Sequence, residues 1–218
     1  VKHTKTHYSQ TRETAHGEIT IEGPLDAETL KNYEFHEQLT AFRPAKKQFE
    51  AIIGIAADFP EGRIIVARTA DTIIGYVTYL HPDPLERWST FNMEELMELG
   101  AIEVIPDYRG SGIASGLLKV SMMDDYMENY ITISTEYYWH WDLDETRLSI
   151  WDYRKVMEKM MVAGGLTPAP TDDPEIISHP ANCLMVRIGS KVSEASIQQF
   201  DKLRFLQRHE YRSMREGF

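Results

Sequence analysis

Residues 102–118 read Ile102-Glu103-Val104-Ile105-Pro106-Asp107-Tyr108-Arg109-Gly110-Ser111-Gly112-Ile113-Ala114-Ser115-Gly116-Leu117-Leu118. An apolar run that suits a strand ends at Pro106, a glycine-containing loop follows, and an amphipathic helix opens behind it. Gly110 and Gly112 remove Cβ where the backbone has to turn tightly and can approach a ligand closely. Successive N–H groups in such a loop, with the free N–H groups of the helix's first turn, form a cradle for an anion. A plainer reading is that Gly-x-Gly only eases the strand-to-helix turn, and the glycines alone leave both readings open. Two well-known phosphate loops do not fit. The Walker pattern needs Gly-Lys-Ser/Thr at the helix start, and here Gly112 is followed by Ile113. The dinucleotide fingerprint needs Gly or Ala five positions after its first Gly, where this chain has Ser115. Glu136, at the end of the next strand, imitates the ribose-binding acid of that fold, but the strands upstream read as a hairpin and not as βαβ crossovers.

Working outward, Arg63 to Arg68 and Thr72 to Leu80 are two β-rich runs joined by the short polar Thr69-Ala70-Asp71, the pattern of an antiparallel hairpin. A third run, Glu98 to Ile105, leads into the glycine loop. The helix after the loop is expected from Gly112 to Glu128, a strand from Tyr130 to Glu136, and a second helix from Arg147 to Ala163 ending at Gly164-Gly165. Thr167 to Pro180 holds four prolines and reads as a loop. Cys183 to Ile188 is a last strand, and Ser193 caps a single closing helix. Upstream, Ile19 and Ile21 alternate with polar neighbours as a short first strand before Gly23-Pro24. Asp26 is a candidate N-cap, and Pro44 opens a helix carrying Phe49, Ile52, Ile53 and Ala56 on one face. Residues 1–17 are polar and unpatterned and are read as an arm, 18–190 as the folded domain, and 191–218 as a helical extension packed on it. The fold class is α/β around one mixed central sheet: antiparallel strands in the N-terminal part, strand-helix-strand-helix-strand in the C-terminal part, and flanking helices.

Composition narrows the function. A chain of 218 residues with 42% hydrophobic content can bury one sizeable core. The net charge of −11 argues against a nucleic-acid partner, because phosphate binding needs clustered Lys and Arg. Any site for an anionic cofactor must therefore be locally basic or built from main-chain N–H groups. No apolar run is long enough to cross a bilayer and the first residues lack the apolar core of a secretory signal, so no membrane role is expected and the chain reads as cytoplasmic. Cys183 is the sole cysteine and the eight histidines show no ligand spacing, so no metal is expected.

The segment fits Arg/Gln-x-x-Gly-x-Gly/Ala, here Arg109 to Ala114, preceded by Val-x-Pro-x-Tyr (Val104, Pro106, Tyr108) and followed by Leu117-Leu118. This resembles the coenzyme A loop of the GCN5-related N-acetyltransferase superfamily. The resemblance implies that fold over about residues 60 to 190. It implies acetyl-CoA as cosubstrate, held by Val104, Ile105, Arg109, Gly110, Ser111, Gly112, Ile113 and Ala114. Three further stretches, Glu34 to Pro44, Ser121 to Glu128 and Thr135 to Asp142, resemble the acetoin-utilisation acetyltransferases of Gram-positive bacteria, a likeness that extends over nearly the whole chain. It implies a protein lysine acetyltransferase acting on AMP-forming acetyl-CoA synthetase and inactivating it. The oligomeric state is left open.

Acetyl transfer to lysine requires removal of a proton, since only about one lysine in 10³ is neutral near pH 7. The site must also stabilise an oxyanion on the thioester carbonyl and let a thiolate leave. Glu98 and Glu103, on the third strand, are the candidate catalytic residues. They are five apart, so a regular strand points them to opposite faces. Glu98-Leu99-x-x-Ile102-x-Val104 resembles the pattern in which relatives carry a strand glutamate as general base; the plainer reading is a solvent-facing residue. Glu103 lies in an apolar run, where burial would raise its pKa and suit it to proton transfer; the plainer reading is a structural carboxylate paired with a buried Arg or Tyr. Many relatives carry a helix tyrosine that protonates the thiolate. The equivalent stretch, Lys159 to Leu166, has none, and Tyr153 lies two turns earlier. Tyr137, Tyr138, Trp139 and His140 could line a site for a lysine side chain or pack as an aromatic edge. Two other functions fit: a CoA-responsive binding partner that inhibits its target by holding it, favoured by the missing tyrosine and the basic closing helix, and a small-amine acetyltransferase with a deep acidic pocket.

Overall fold

A computed structural model describes residues 2–216, with the side chain of the last of these left aside. The polar N-terminal run is not an arm: Tyr8–Thr14 (β1) pairs along its whole length with Gly17–Gly23 (β2), antiparallel. The hairpin was hidden from the sequence because β1 has no apolar alternation. What holds it is the partner, since Ile19 and Ile21 of β2 are fully buried. After β2 come the short helix α1 (Ala27–Leu30), the two-residue strand β3 (Glu34–Phe35) and the helix α2 (Ala45–Asp58). Asp26 caps α1 as expected, its Oδ1 accepting from Thr29 N–H at 2.7 Å. The strands β4 (Arg63–Arg68) and β5 (Thr72–Leu80) match their sequence bounds, because both are apolar runs closed by turn residues. β6 (Leu96–Val104) follows, then a 3₁₀ turn at Pro106–Tyr108 and the helix α3 (Ile113–Ser121). The rest comprises β7 (Ile131–Glu136), α4 (Leu143–Thr146), α5 (Ile150–Val162), β8 (Thr167–Ala169), α6 (Pro174–Ile177), β9 (Cys183–Ile188), α7 (Glu194–Arg204) and α8 (Leu206–Glu216).

The chain divides into two compact units, Val1–His81 with Met97–Met127, and Pro82–Leu96 with Glu128–Phe218. In the first, the strand order is β1-β2-β4-β5-β6, all neighbours antiparallel, with β3 parallel to β5. One face of this sheet takes α3, which turns Ile113, Gly116, Leu117 and Val120 inward at helical spacing. Ile21 of β2 meets it there, close enough that a Cβ on Gly116 would stand 2.6 Å from Ile21 Cδ1. The segment before β1 is fastened to this unit by a buried ion pair. Arg63 Nη1 donates to Asp124 Oδ2 at 2.6 Å, Arg63 Nη2 to Thr4 O at 2.6 Å, and Thr6 N–H to Asp124 Oδ2 at 3.0 Å. Burial alone would push the Asp124 carboxyl up; the hydrogen bonds from Arg63, Thr6 and Tyr126 and the Arg63 charge outweigh it and hold it below the usual carboxylate range.

In the second unit β9 is flanked by β7 and β8, both antiparallel to it. Its core gathers Trp88, Met93, Leu96, Ile131, Ile133, Ile176, Leu184, Val186, Phe200 and Leu203. The proline-rich stretch read as a loop contains β8, an edge strand that tolerates Pro168 because an edge need not donate on both sides. The closing helix is two helices, α7 and α8. Arg204 O, which would continue α7, accepts from Asp172 N–H at 3.0 Å and Thr171 Oγ1 at 2.7 Å, and so the helix is cut there.

Candidate active site

At the end of β6 the backbone passes Ile105 and enters the 3₁₀ turn. Gly110 and Gly112 both adopt left-handed conformations, φ 76° and 78°. A side chain at Gly110 would find open space, so it is the backbone angle, not crowding, that requires glycine there. Arg109 Nε donates to Val104 O at 3.3 Å and the Ser111 hydroxyl to Tyr108 O, so both side chains brace the loop from within. The first main-chain bond of α3 runs from Gly116 N–H to Gly112 O at 2.9 Å, leaving the N–H groups of Ile113, Ala114 and Ser115 without an acceptor inside the helix. No side chain caps this helix start. The result is a short arc of main-chain donors at the positive end of a helix dipole, suited to a diphosphate in a chain whose overall charge is strongly negative. Val104, Ile105 and Ile113 are buried beneath it, and Arg109, Gly110, Ser111 and Gly112 are exposed.

The two glutamates lie on β6, and their relation differs from the expectation of opposite faces. The register pairs Tyr79 with Leu99 and Thr78 with Ala101, so Gly100 is an extra residue, a β-bulge. Glu98 opposes Leu80 and Glu103 opposes Tyr76, positions four apart on β5, which puts both glutamates on one face. That face carries α2. Glu103 is 8% exposed, and both its oxygens are engaged: Ala41 N–H donates to Oε1 at 2.9 Å and Tyr76 O–H to Oε2 at 3.0 Å. Burial, then the adjacent Glu103 charge and hydrogen bond, raise the Tyr76 phenol far above its ordinary pKa. Glu98 is half-buried.

In the second unit, β7 ends at Glu136, and Tyr138–His140 forms a 3₁₀ turn leading to α4. Tyr137 and Trp139 stack at 5.0 Å, His140 stands edge-on to Tyr137 at 5.7 Å, and Tyr138 packs on His179 at 4.3 Å. Asn182 Oδ1 fixes the turn by accepting from Tyr138 N–H at 3.0 Å. The four predicted substrate residues are therefore brought together on one turn, with Trp139 45% exposed. Glu136, beneath the turn, accepts from Ser134 Oγ at 2.7 Å and Trp141 Nε1 at 3.3 Å. Burial pushes its carboxyl up against those two hydrogen bonds. Cys183 opposes it on β9, and burial raises that thiol to about 12, far from a reactive thiolate.

Sequence reasoning missed Tyr76 and Ala41, which bind Glu103, and Arg12, which β1 carries to the glycine loop. Tyr76 could have been found from the β5–β6 register once the bulge was known. Arg12 could not be, because an all-polar strand leaves no periodic signal.

A glycine loop at an uncapped helix start, behind a bulged strand, is the arrangement expected of an acetyltransferase, and the comparisons show that class of protein. Residues 28–147 match the model of the acetyltransferase (GNAT) family, and the chain belongs to that family, whose members are acetyl-CoA-dependent N-acetyltransferases. Among curated proteins it is 62% identical to the acetoin utilization protein AcuA of Bacillus subtilis over 97% of this chain and 100% of that one. The protein of the same name from Bacillus licheniformis is 61% identical over the same shares. Among solved structures, an acetoin utilization protein from Exiguobacterium sibiricum superposes with a TM-score of 0.92 at 53% identity, covering 95% of this chain and 98% of that one.

Proposed function

We propose that this N-acetyltransferase acts on a lysine of a metabolic enzyme, namely AMP-forming acetyl-CoA synthetase, and that acetylation switches that enzyme off. The observation that carries a protein substrate is the exposed aromatic turn with its neighbour on α5. Trp139 of the turn is 45% exposed, and Trp151 of α5, stacked on the same His179 that Tyr138 packs against, is 52% exposed, an open face that suits a loop of another protein rather than a buried small amine. Stacked aromatic rings accept the alkyl stem and charged end of a lysine. The choice of synthetase rests on the likeness to the acetoin utilization proteins. Such a substrate places the reaction in the cytoplasm. Among the described residues, no helix is long and apolar enough to cross a membrane.

In this reading residues 104–105 and 109–114 hold acetyl-CoA, which supplies the activated acetyl group, through main-chain donors. Glu98 steers the amine's proton. Glu103, with both oxygens already accepting, instead holds Tyr76 and the Ala41 backbone in place. Transfer is direct, since the raised thiol pKa of Cys183 makes it a poor carrier. The test is to incubate the protein with acetyl-CoA and a cell lysate and to locate new acetyl-lysines by mass spectrometry, then to repeat with purified synthetase. Acetyl-lysine on the synthetase with loss of its activity is expected. Stoichiometric inhibition without acetyl-lysine would favour a holding partner instead, and labelling confined to small amines would overturn the protein substrate.

A further inference from the structure

Arg12 pairs with Ile19 across the β1–β2 hairpin, so its side chain leaves the sheet on the face that Ile19 and Ile21 present to α3. There its Nη1 donates to two successive loop carbonyls, Ser111 O at 3.2 Å and Gly112 O at 2.7 Å. Gly112 makes the approach possible, since a Cβ on it would stand 2.6 Å from Nη1. The same hairpin touches the loop a second time, where the His16 ring meets the Tyr108 ring at 5.1 Å.

The physical consequence lies in the peptide planes. A trans peptide points its C=O and its N–H in opposite directions. By drawing the carbonyls of Ser111 and Gly112 to one side, the guanidinium turns the N–H groups of Gly112 and Ile113 to the other. Ile113 N–H belongs to the anion arc, and Gly112 N–H is the next donor before it along the chain. Glycine at 110 and 112 leaves these planes easy to rotate; Gly116 N–H holds Gly112 O from within the helix, and Arg12 adds a hold on both carbonyls from outside the loop. The charge argues in the same direction. Among the described residues no carboxylate pairs with Arg12, and a cation beside the positive end of α3 is unfavourable until an anion arrives.

We propose that Arg12 is a positioning residue for the cofactor's diphosphate: the N-terminal hairpin clamps the glycine loop through it and sets the two peptide planes that bind. This rests on the reading that residues 109–114 hold the diphosphate. The experiment measures KM and kcat with acetyl-CoA and with acetyl-pantetheine, which lacks the diphosphate, for the wild type, Arg12→Ala and Arg12→Lys, with melting temperature as a control. For Arg12→Ala, KM for acetyl-CoA is expected to rise about tenfold, equivalent to about 1.4 kcal/mol, with kcat within about twofold and KM for acetyl-pantetheine unchanged. Arg12→Lys, which keeps a donor and a charge, is expected to recover part of the loss. If the wild type itself does not prefer acetyl-CoA over acetyl-pantetheine, the diphosphate reading of the loop fails. If the wild type prefers acetyl-CoA and Arg12→Ala keeps that preference, the clamp alone is wrong. The clamp is equally overturned if both substrates weaken together with a fall in melting temperature, since that is general unfolding of the loop.

Discussion

Two strand ends in this molecule lead through a 3₁₀ turn into a helix, and they are finished in opposite ways. After β6, the turn Pro106–Tyr108 leads to α3, whose first N–H groups meet no side chain; after β7, the turn Tyr138–His140 leads to α4, whose start is closed by Asp142 accepting from Glu145 N–H at 3.3 Å. Side chains also cap α1, α5, α6 and α7, through Asp26, Ser149, Asp173 and Ser193. Leaving a helix start uncapped forgoes roughly 1 kcal/mol, and doing so behind two left-handed glycines keeps main-chain donors available for a ligand. What the first region offers is main-chain donors. The second is made of side chains on a fixed backbone.

The sharpest way to break this contrast is to give the first helix the cap that the second has. In Gly112→Asp the new carboxylate can accept from the N–H groups of α3 and pair with Arg12, filling the cradle with the protein's own anion, while the left-handed backbone costs about 1–2 kcal/mol. Affinity for acetyl-CoA is expected to fall by about 100-fold or more, roughly 3 kcal/mol, in a titration calorimeter. A variant that binds as well as the wild type would remove the loop from the site. Next in size is Glu98→Gln, expected to lower kcat by about 10² without moving acetyl-CoA affinity. Glu103→Gln is expected to show itself mainly in stability, about 1–3 kcal/mol in denaturant melts, because it disturbs the pairing with Tyr76 and Ala41. Reversed results would exchange the two roles. Smaller again is Trp139→Ala, expected to raise KM for the protein substrate by about tenfold while acetyl-CoA binding stays as it was.

The two regions also differ in how far the sequence reveals them. The conformation of the loop was legible because its pattern is local: glycines at fixed offsets, a strand before and a helix after. The bounds of β4 and β5 were legible for the same reason. What escaped depended on partners distant in sequence. The β1 strand has no apolar alternation and exists because β2 is buried beside it. The bulge at Gly100, which brings Glu98 and Glu103 to one face, is a property of the β5–β6 register and not of β6 alone. Helix α3 stops at Ser121, short of the Glu128 expected from periodicity, and Asp124 is held just beyond by Arg63 and by Thr6 N–H. Around the aromatic turn, composition suggested the cluster, but its exposure and the carboxyl beneath it required the fold.

The carboxyl beneath the turn gives the finest test, one of stability with pH. Glu136 is held by two neutral donors, Ser134 and Trp141, and among the described residues no cation pairs with it. Burial raises its folded-state pKa above the unfolded value near 4.5. A raised pKa means that the folded state binds the proton more tightly than the unfolded chain. The stabilisation is therefore complete below the unfolded value and is lost as pH climbs through the folded one. Glu136→Gln cannot ionise and keeps an oxygen for the indole N–H. Its melting temperature is expected to match the wild type near pH 4 and to pull ahead progressively toward neutral and alkaline pH. Parallel curves across that range would mean that the group is hydrated in the folded protein and that the floor of the aromatic turn is wet. If the curves diverge and then close when a lysine-bearing peptide of the substrate is added, the missing cation is the substrate's own ammonium.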